Sequence, residues 1–375
     1  MVSYPTVSCT SNRELLDWLS EHVETLGGRV RILKGTHPDR ANILATLGPD
    51  APGGLLLSGH TDVVPPGEGW DSDPWTLTRK GDRFVARGVA DMKGFFAAVL
   101  HAMADFDIAR LMAPVHVLAS YDEEIGCQGV RDVLPLLALD PMVRPEIVVI
   151  GEPTMMRPRH SHLGKELHRL TVTAPEAHSS RAAFTPSAIA VASELICVLS
   201  QVQTSAPVGS DIDVPRYSIN CGVIYGGTAA NVIAGSCTVD FEVRHDFENE
   251  PTEVLAPFFV ALSRVETRLN IVGGAVTCER LSTYPALTTD VSAPAFARAV
   301  KIADAGPATA LGFGTEGGLL AGALDAPIMI CGPGDIADAH RPNESVSEHQ
   351  LERCVQFIRE LVREFCSPKE TQSKR

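Results

Sequence analysis

Acids and imidazoles recur at the ends of short apolar runs in this 375-residue chain. Leu55-Leu56-Leu57 leads into Ser58-Gly59-His60-Thr61-Asp62, a run at 113–119 into Asp122-Glu123-Glu124, and a run at 146–150 into Gly151-Glu152-Pro153. A late run at 327–331 feeds a loop that reaches His340, and Asp91 stands just ahead of an apolar segment beginning at Met92. Ligands of open α/β sheets bind beyond the carboxyl ends of the strands, so these residues are expected to converge. Histidine with carboxylate and no thiolate is the donor set of a hydrolytic zinc site. Two ions about 3.5 to 4 Å apart need a bridging carboxylate and further ligands on each, with positions left open for water. Asp91 as bridge, His60 and Glu152 on one ion, and Glu124 and His340 on the other meet that need. Glu123 is then left over beside a ligand, free to take a proton from water and pass it to a departing amine. Asp62, two residues beyond His60, is placed to accept the other ring N–H and fix the tautomer. Taken singly, a histidine after a strand is commonly a satisfied loop residue, and Asp91 could cap the helix behind it. The weight comes from four strand ends that carry the same kind of ligand.

The elements that must hold this set are legible in the apolar spacing. Residues 12–26 fit an amphipathic helix, with Leu15, Leu16, Leu19, Val23 and Leu26 on one side and Gly27-Gly28 as its stop. Residues 92–103 read as a second helix, because Phe95, Val99 and Met103 share a stripe with Phe96 and Leu100 beside it. Runs at 42–45, 54–57, 113–119 and 146–150 are of strand length, and their alternation with helices predicts a mainly parallel sheet flanked by helices. The middle has another character: strand 167–173, helix 186–199, strands 218–224 and 236–244, helix 251–268 and strand 275–280. That β-α-β-β-α-β order is an open-faced α+β sandwich. The first pattern resumes with helix 294–305, strand 327–331 and helix 348–365. The chain is long for one hydrophobic core. It is therefore expected to form a catalytic lobe of residues 1–166 and 283–375, interrupted by a smaller lobe of residues 167–282. The polar tail, 367–375, is expected to be disordered.

Composition narrows the function. The formal charge of -14 argues against a nucleic-acid partner, which needs a basic face. No stretch approaches the roughly 20 apolar residues of a membrane span, and no basic-then-apolar leader opens the chain, so a soluble, cytoplasmic protein without a membrane partner is expected. Nine cysteines without Cys-x-x-Cys spacing suit reduced thiols better than disulfides or a thiolate metal site. Gly312-Phe313-Gly314-Thr315-Glu316-Gly317 matches the dinucleotide fingerprint in form only, since no strand is expected before it and Glu316 would repel a phosphate. His160, His162 and His168 are read as loop residues and His116 as a strand-face residue.

SGHTDVVPPGEGW, GVADMKGFFAAVL, YDEEIGCQGV, VIGEPT, GFGTEGGLL and CGPGDIADAH together resemble the metallopeptidase family of acetylornithine deacetylase, succinyl-diaminopimelate desuccinylase, glutamate carboxypeptidase and aminoacylase. The resemblance runs from about Tyr4 to the closing helix. It implies the same assignment: Asp91 the bridge, His60, Glu152, Glu124 and His340 the remaining ligands, Asp62 behind His60, and Glu123 the catalytic base. It implies two zinc ions per chain, replaceable by cobalt, and a homodimer formed through the inserted lobe. By the same resemblance His178 helps hold the substrate carbonyl oxygen, Asn231 and Arg244 bind substrate backbone and carboxylate, and Thr315 and Glu316 border the substrate pocket. The nearest likeness is to acetylornithine deacetylase, through Ala90-Asp91-Met92-Lys93-Gly94-Phe95-Phe96, Gly151-Glu152-Pro153-Thr154 and Thr315-Glu316-Gly317-Gly318. Desuccinylases place an arginine soon after the position of Thr315, whereas an acid and two glycines stand here. An acid at the pocket suits a cationic side chain, so the expected reaction takes N2-acetyl-L-ornithine to L-ornithine and acetate, a step of arginine biosynthesis. Other N-acyl amino acids, an exopeptidase and a catalytically silent binding protein are the rival readings.

Overall fold

The computed structural model describes residues 1–206 and 216–368, so the tail expected to be disordered lies outside the described residues from position 369 onward. The chain folds as two compact units. One is drawn from the described residues of Met1–Ser161, Thr288–Ala310 and Thr315–Arg375, the other from His162–Leu287 and Leu311–Gly314.

In the first unit six strands of the main sheet run in the order Arg29–Lys34, Ala41–Leu47, Val115–Ser120, Leu55–His60, Ile147–Pro153 and Ile328–Gly332. The last four are mutually parallel and the first two antiparallel, which makes the sheet mixed but mainly parallel at its centre. Every residue of Leu55–His60, Val115–Ser120 and Ile147–Pro153 is buried, the continuous apolar pattern of strands covered on both faces. Helices Arg13–Thr25, Lys93–Met103, Pro294–Ala303 and Glu348–Phe365 share one core with Leu57, Val117, Val149 and Met329. The stop at Gly27-Gly28 is a Schellman turn: Gly27 has φ +85°, its N–H meets the carbonyl of Glu24, and that of Gly28 meets Val23. Beneath the sheet end that carries Glu152, a Cβ on Gly151 would lie 2.0 Å from the Phe95 ring, so only glycine lets this strand reach the helix.

Some elements were not foreseen. Arg29–Lys34 is an edge strand with no apolar run, its arginines and lysine facing solvent as edge strands often do. Thr78–Lys80, Arg83–Val85 and Ser345–Ser347 form a separate small sheet in which Ser345 lies opposite Val85. The Gly-rich stretch at 312–317 is preceded by strand Thr309–Leu311 and followed by helix Gly317–Ala323, which corrects the expectation that no strand stands before it. Rejection of a dinucleotide site there therefore rests on Glu316 alone.

The second unit has the β-α-β-β-α-β order: Gly164–Thr173, Ala188–Thr204, Tyr217–Gly226, Ser236–His245, Ala256–Asn270 and Ala275–Tyr284. Its four strands form an antiparallel sheet with Tyr217–Gly226 at one edge, and Leu170, Val239 and Phe241 pack with Leu195 and Phe258 of the helices. Contrary to expectation His160 and His162 lie on a strand, not a loop, and His168, also read as a loop residue, lies on the strand expected at 167–173. His162 is buried, and burial pushes its imidazole down to about 4. The ring of His168 stacks on Phe241 and meets the Glu166 carboxylate at 2.9 Å. The side chains of His162 and His168 thus have partners within the fold, which the polarity of the segment concealed.

Candidate metal centre

Four parallel strands end beside one another and deliver the acids and imidazoles expected of them. His60 is the last residue of its strand, Glu123 and Glu124 follow the strand ending at Ser120, Glu152 lies near the end of Ile147–Pro153, and the chain after Gly332 returns to His340. Asp91 stands two residues ahead of helix Lys93–Met103. Its carboxylate spans both imidazoles: one oxygen is 3.0 Å from Nε2 of His60 and the other 3.1 Å from Nε2 of His340. Nε2 of His60 is 3.8 Å from Glu152, and Nε2 of His340 is 3.0 Å from Glu124. Ligand atoms of His60, Asp91 and Glu124 fall within 4.8 Å of one another, as do those of His60, Glu123 and Glu152.

The electrostatics follow from packing many acids into one buried place. Burial, with the charge of Asp91 added, raises the carboxyls of Glu152 and Glu124 above their ordinary range. Glu123 is pushed up to about 8, again chiefly by burial. Burial also opposes charge on Asp91 and His60, but there the contacts win. Asp91 moves down because both imidazoles bond to it, and His60 moves well up because Asp91, Asp62 and Glu152 surround it. His340 rises to about 10 through its bonds to Asp91 and Glu124. A cluster with more carboxylates than imidazoles, in which the acids resist ionising together, fits the demand of divalent cations, and the nitrogen and oxygen donors suit zinc.

Asp62 holds the cluster differently from expectation. Nδ1 of His60 is 2.9 Å from the main-chain carbonyl of Asp62 and 3.6 Å from its carboxylate, so the carbonyl is the ring's partner. The carboxylate instead accepts the N–H groups of Glu123 and Glu124 at 3.0 and 3.3 Å and the Ser8 hydroxyl at 2.8 Å. It fixes the backbone of the turn that presents both glutamates. Cys127, a buried thiol, donates to one oxygen of Glu123 at 3.2 Å.

Residues 56–364 match the sequence profile of peptidase family M20/M25/M40. The chain belongs to this family. It is similar to the acetylornithine deacetylase of Pasteurella multocida (strain Pm70), 31% identical over 387 residues that cover 98% of this chain and 96% of that one. Among solved structures it resembles an M20 family metallo-carboxypeptidase from Sulfolobus solfataricus, with a TM-score of 0.78, 17% identity and 96% of each chain covered. A dinuclear metal-binding M20 peptidase from Bacillus subtilis superposes with a TM-score of 0.66 and 15% identity, over 96% of this chain and 94% of that one. The chain is thus a metal-dependent hydrolase of the M20 family, and among its described residues no helix is long and apolar enough to cross a membrane.

The residues expected at the substrate are divided. In the inserted unit His178 and Asn231 are brought together: Ala177–His178 pairs with Val232–Ile233, and the Ser179 N–H donates to the carbonyl of Asn231 at 3.0 Å. His178 is exposed, with Nδ1 facing Ser180. Arg244 is half-buried and donates to Glu242 at 2.8 Å. Thr315 and Glu316 differ from expectation. Both are essentially inaccessible; the Thr315 hydroxyl accepts the Gly317 N–H at 2.9 Å, and the Glu316 carboxylate accepts the Ser58 and Ser120 hydroxyls, the latter at 2.8 Å. Glu316 is a buried acid joining two sheet strands to a short helix, and its oxygens are occupied, so it offers no carboxylate to a cationic side chain. Accordingly Glu316→Gln is expected to change the Michaelis constants for acetylornithine and for a neutral N-acetyl amino acid by the same factor, as parallel kinetics on the two substrates will show. A selective loss for acetylornithine would return Glu316 to the pocket.

Proposed function

We propose that this protein removes the acetyl group of N2-acetyl-L-ornithine, giving L-ornithine and acetate, with two zinc ions held by His60, Asp91, Glu124, Glu152 and His340. The observation that carries the reading is the Asp91 carboxylate, one oxygen on each imidazole, with Glu152 beside one and Glu124 beside the other. His60 and Glu152 would hold one ion, Glu124 and His340 the other, and Asp91 both. Cobalt, which takes the same nitrogen and oxygen donors, is the expected substitute. The bound cations supply Lewis acidity for the scissile carbonyl and the attacking water. Glu123 takes a proton from that water and returns it to the departing amine nitrogen. Cys127 occupies one oxygen of Glu123 and steadies the carboxylate, which leaves the other oxygen for the transfer.

The ornithine substrate is supported by the near full-length likeness to an acetylornithine deacetylase, now that Glu316 no longer argues for a cation. Nine free thiols suit the reducing cytoplasm. A homodimer through the inserted unit is supported by its edge strand Tyr217–Gly226, which exposes Val223, Ile224 and Tyr225. Elemental analysis after gentle purification is expected to find two zinc-class ions per chain, and a panel of N-acetyl, N-succinyl and dipeptide substrates to give acetylornithine the highest kcat/KM. One ion or none, with no gain of activity on adding zinc or cobalt, sinks the two-ion centre; dipeptides as the best substrates make the enzyme an exopeptidase.

A further inference from the structure

We infer that Glu344 is a positioning residue of the metal centre, a buried carboxylate that fixes the backbone of Asp91 against the loop bearing His340. The inference rests on the two-ion reading above and adds a residue that does not touch substrate or metal. Glu344 is 1% exposed, and both of its oxygens are fully engaged. One accepts the N–H groups of Ala90 and Asp91 at 2.8 and 3.1 Å; the other accepts the Gly88 N–H at 3.0 Å and Nη1 of Arg87 at 2.7 Å. Its own carbonyl accepts the Ala86 N–H at 3.2 Å. Arg87, Gly88, Ala90 and Asp91 therefore converge on one side chain.

Arg87 is the counter-charge and is as deeply buried as its partner. Its Nη2 donates to the carbonyl of Pro66 at 3.2 Å, and its guanidinium lies 5.3 Å from the centre of the Trp70 ring. An ion pair withdrawn from water this far is costly unless its donors and acceptors are matched; four donors meet the Glu344 carboxylate, whereas Nε of Arg87 is buried without a partner. Four residues before Glu344 the same loop supplies His340, which faces the Asp91 carboxylate. Glu344 thus sets the main chain of the bridging residue while its own loop sets the imidazole across from it. Metal sites tolerate errors of only about 0.2 Å in ligand distance, so a looser Asp91 backbone weakens binding before it disturbs the fold.

Two full-length variants separate these effects. Glu344→Gln keeps the shape but in either orientation turns an amide NH2 toward two donors, and Glu344→Asp keeps the charge for Arg87 but withdraws the carboxylate by one methylene. Each is freed of metal, checked for fold by circular dichroism, and titrated with zinc and with cobalt, whose visible absorption reports ligand geometry. Both variants are expected to bind the second equivalent about 10- to 100-fold more weakly than wild type, with an altered cobalt spectrum and faster amide exchange at residues 88–91. Should Glu344→Gln fail to fold, Glu344→Asp, which retains the ion pair, decides alone. Two equivalents bound with wild-type affinity and spectrum in a folded variant overturn the inference. Wild-type protein that takes up fewer than two ions overturns the two-ion reading instead; unchanged amide exchange at 88–91 in the variants then refutes the clamp by itself.

Discussion

Glu123→Ala is expected to retain two metal ions and to lose turnover by roughly 100- to 10,000-fold, the usual contribution of a positioned acid–base group. The expectation comes from the division of labour among adjacent acids. Glu124 pairs with His340 on one side of Asp91, whereas the side chain of Glu123 takes its hydrogen bond from Cys127. Burial raises the carboxyl of Glu123 to about 8, which favours its part as proton donor, and cations held beside it would draw it back toward the ionised form that accepts a proton. The structure also defines the competing outcome, since the Glu123 carboxylate lies within 4.8 Å of ligand atoms of both His60 and Glu152. Metal analysis on the purified variant decides. Loss of an ion together with activity would make Glu123 a ligand and pass the base role to Glu124.

The second large effect concerns His178, which sits in the inserted unit on an exposed ribbon beside Asn231. An imidazole donating to the oxygen of the tetrahedral intermediate stabilises charge that exists only in the transition state, and loss of such a donor costs about 100- to 1,000-fold in turnover. His178→Ala is therefore expected to fold, bind metal and be slower by that factor. If the chain dimerises through this unit and His178 serves the partner's centre, a mixed dimer of His178→Ala and Glu123→Ala chains contains one site with both groups intact. Such mixtures should regain activity that neither parent shows. Verified mixed dimers as inactive as their parents would place His178 in its own chain's site or outside catalysis.

The sheet strands and the residues at their ends were legible because burial on both faces writes continuous apolar runs, and because a chain leaving a parallel strand must turn at the same end of the sheet as its neighbours. The inserted β-α-β-β-α-β order was legible for a related reason, since each element carries its own period. Arg29–Lys34 escaped notice because its alternation of arginines with Val30 and Ile32 is short and, on an exposed edge, is not backed by a continuous apolar run. The strand positions of His160 and His162 escaped it because the strand is short and polar, and only the fold shows that His162 is buried.

What the sequence by itself determined was the kind and order of the candidate ligands: two imidazoles and a set of carboxylates, all but Asp91 following an apolar strand, with no thiolate to compete. Which acid serves which purpose was decided only in three dimensions. Glu316 was expected at the substrate and lies instead against Ser58 and Ser120, 258 and 196 residues away; Asp62 braces Glu123 and Glu124 more than the ring of His60; Glu344 reaches the backbone of Asp91 across 253 residues. Local sequence determines backbone shape and apolar period, because those depend on near neighbours. A carboxylate is assigned by the donors that surround it, and those donors arrive from distant segments only when the sheet has closed around them.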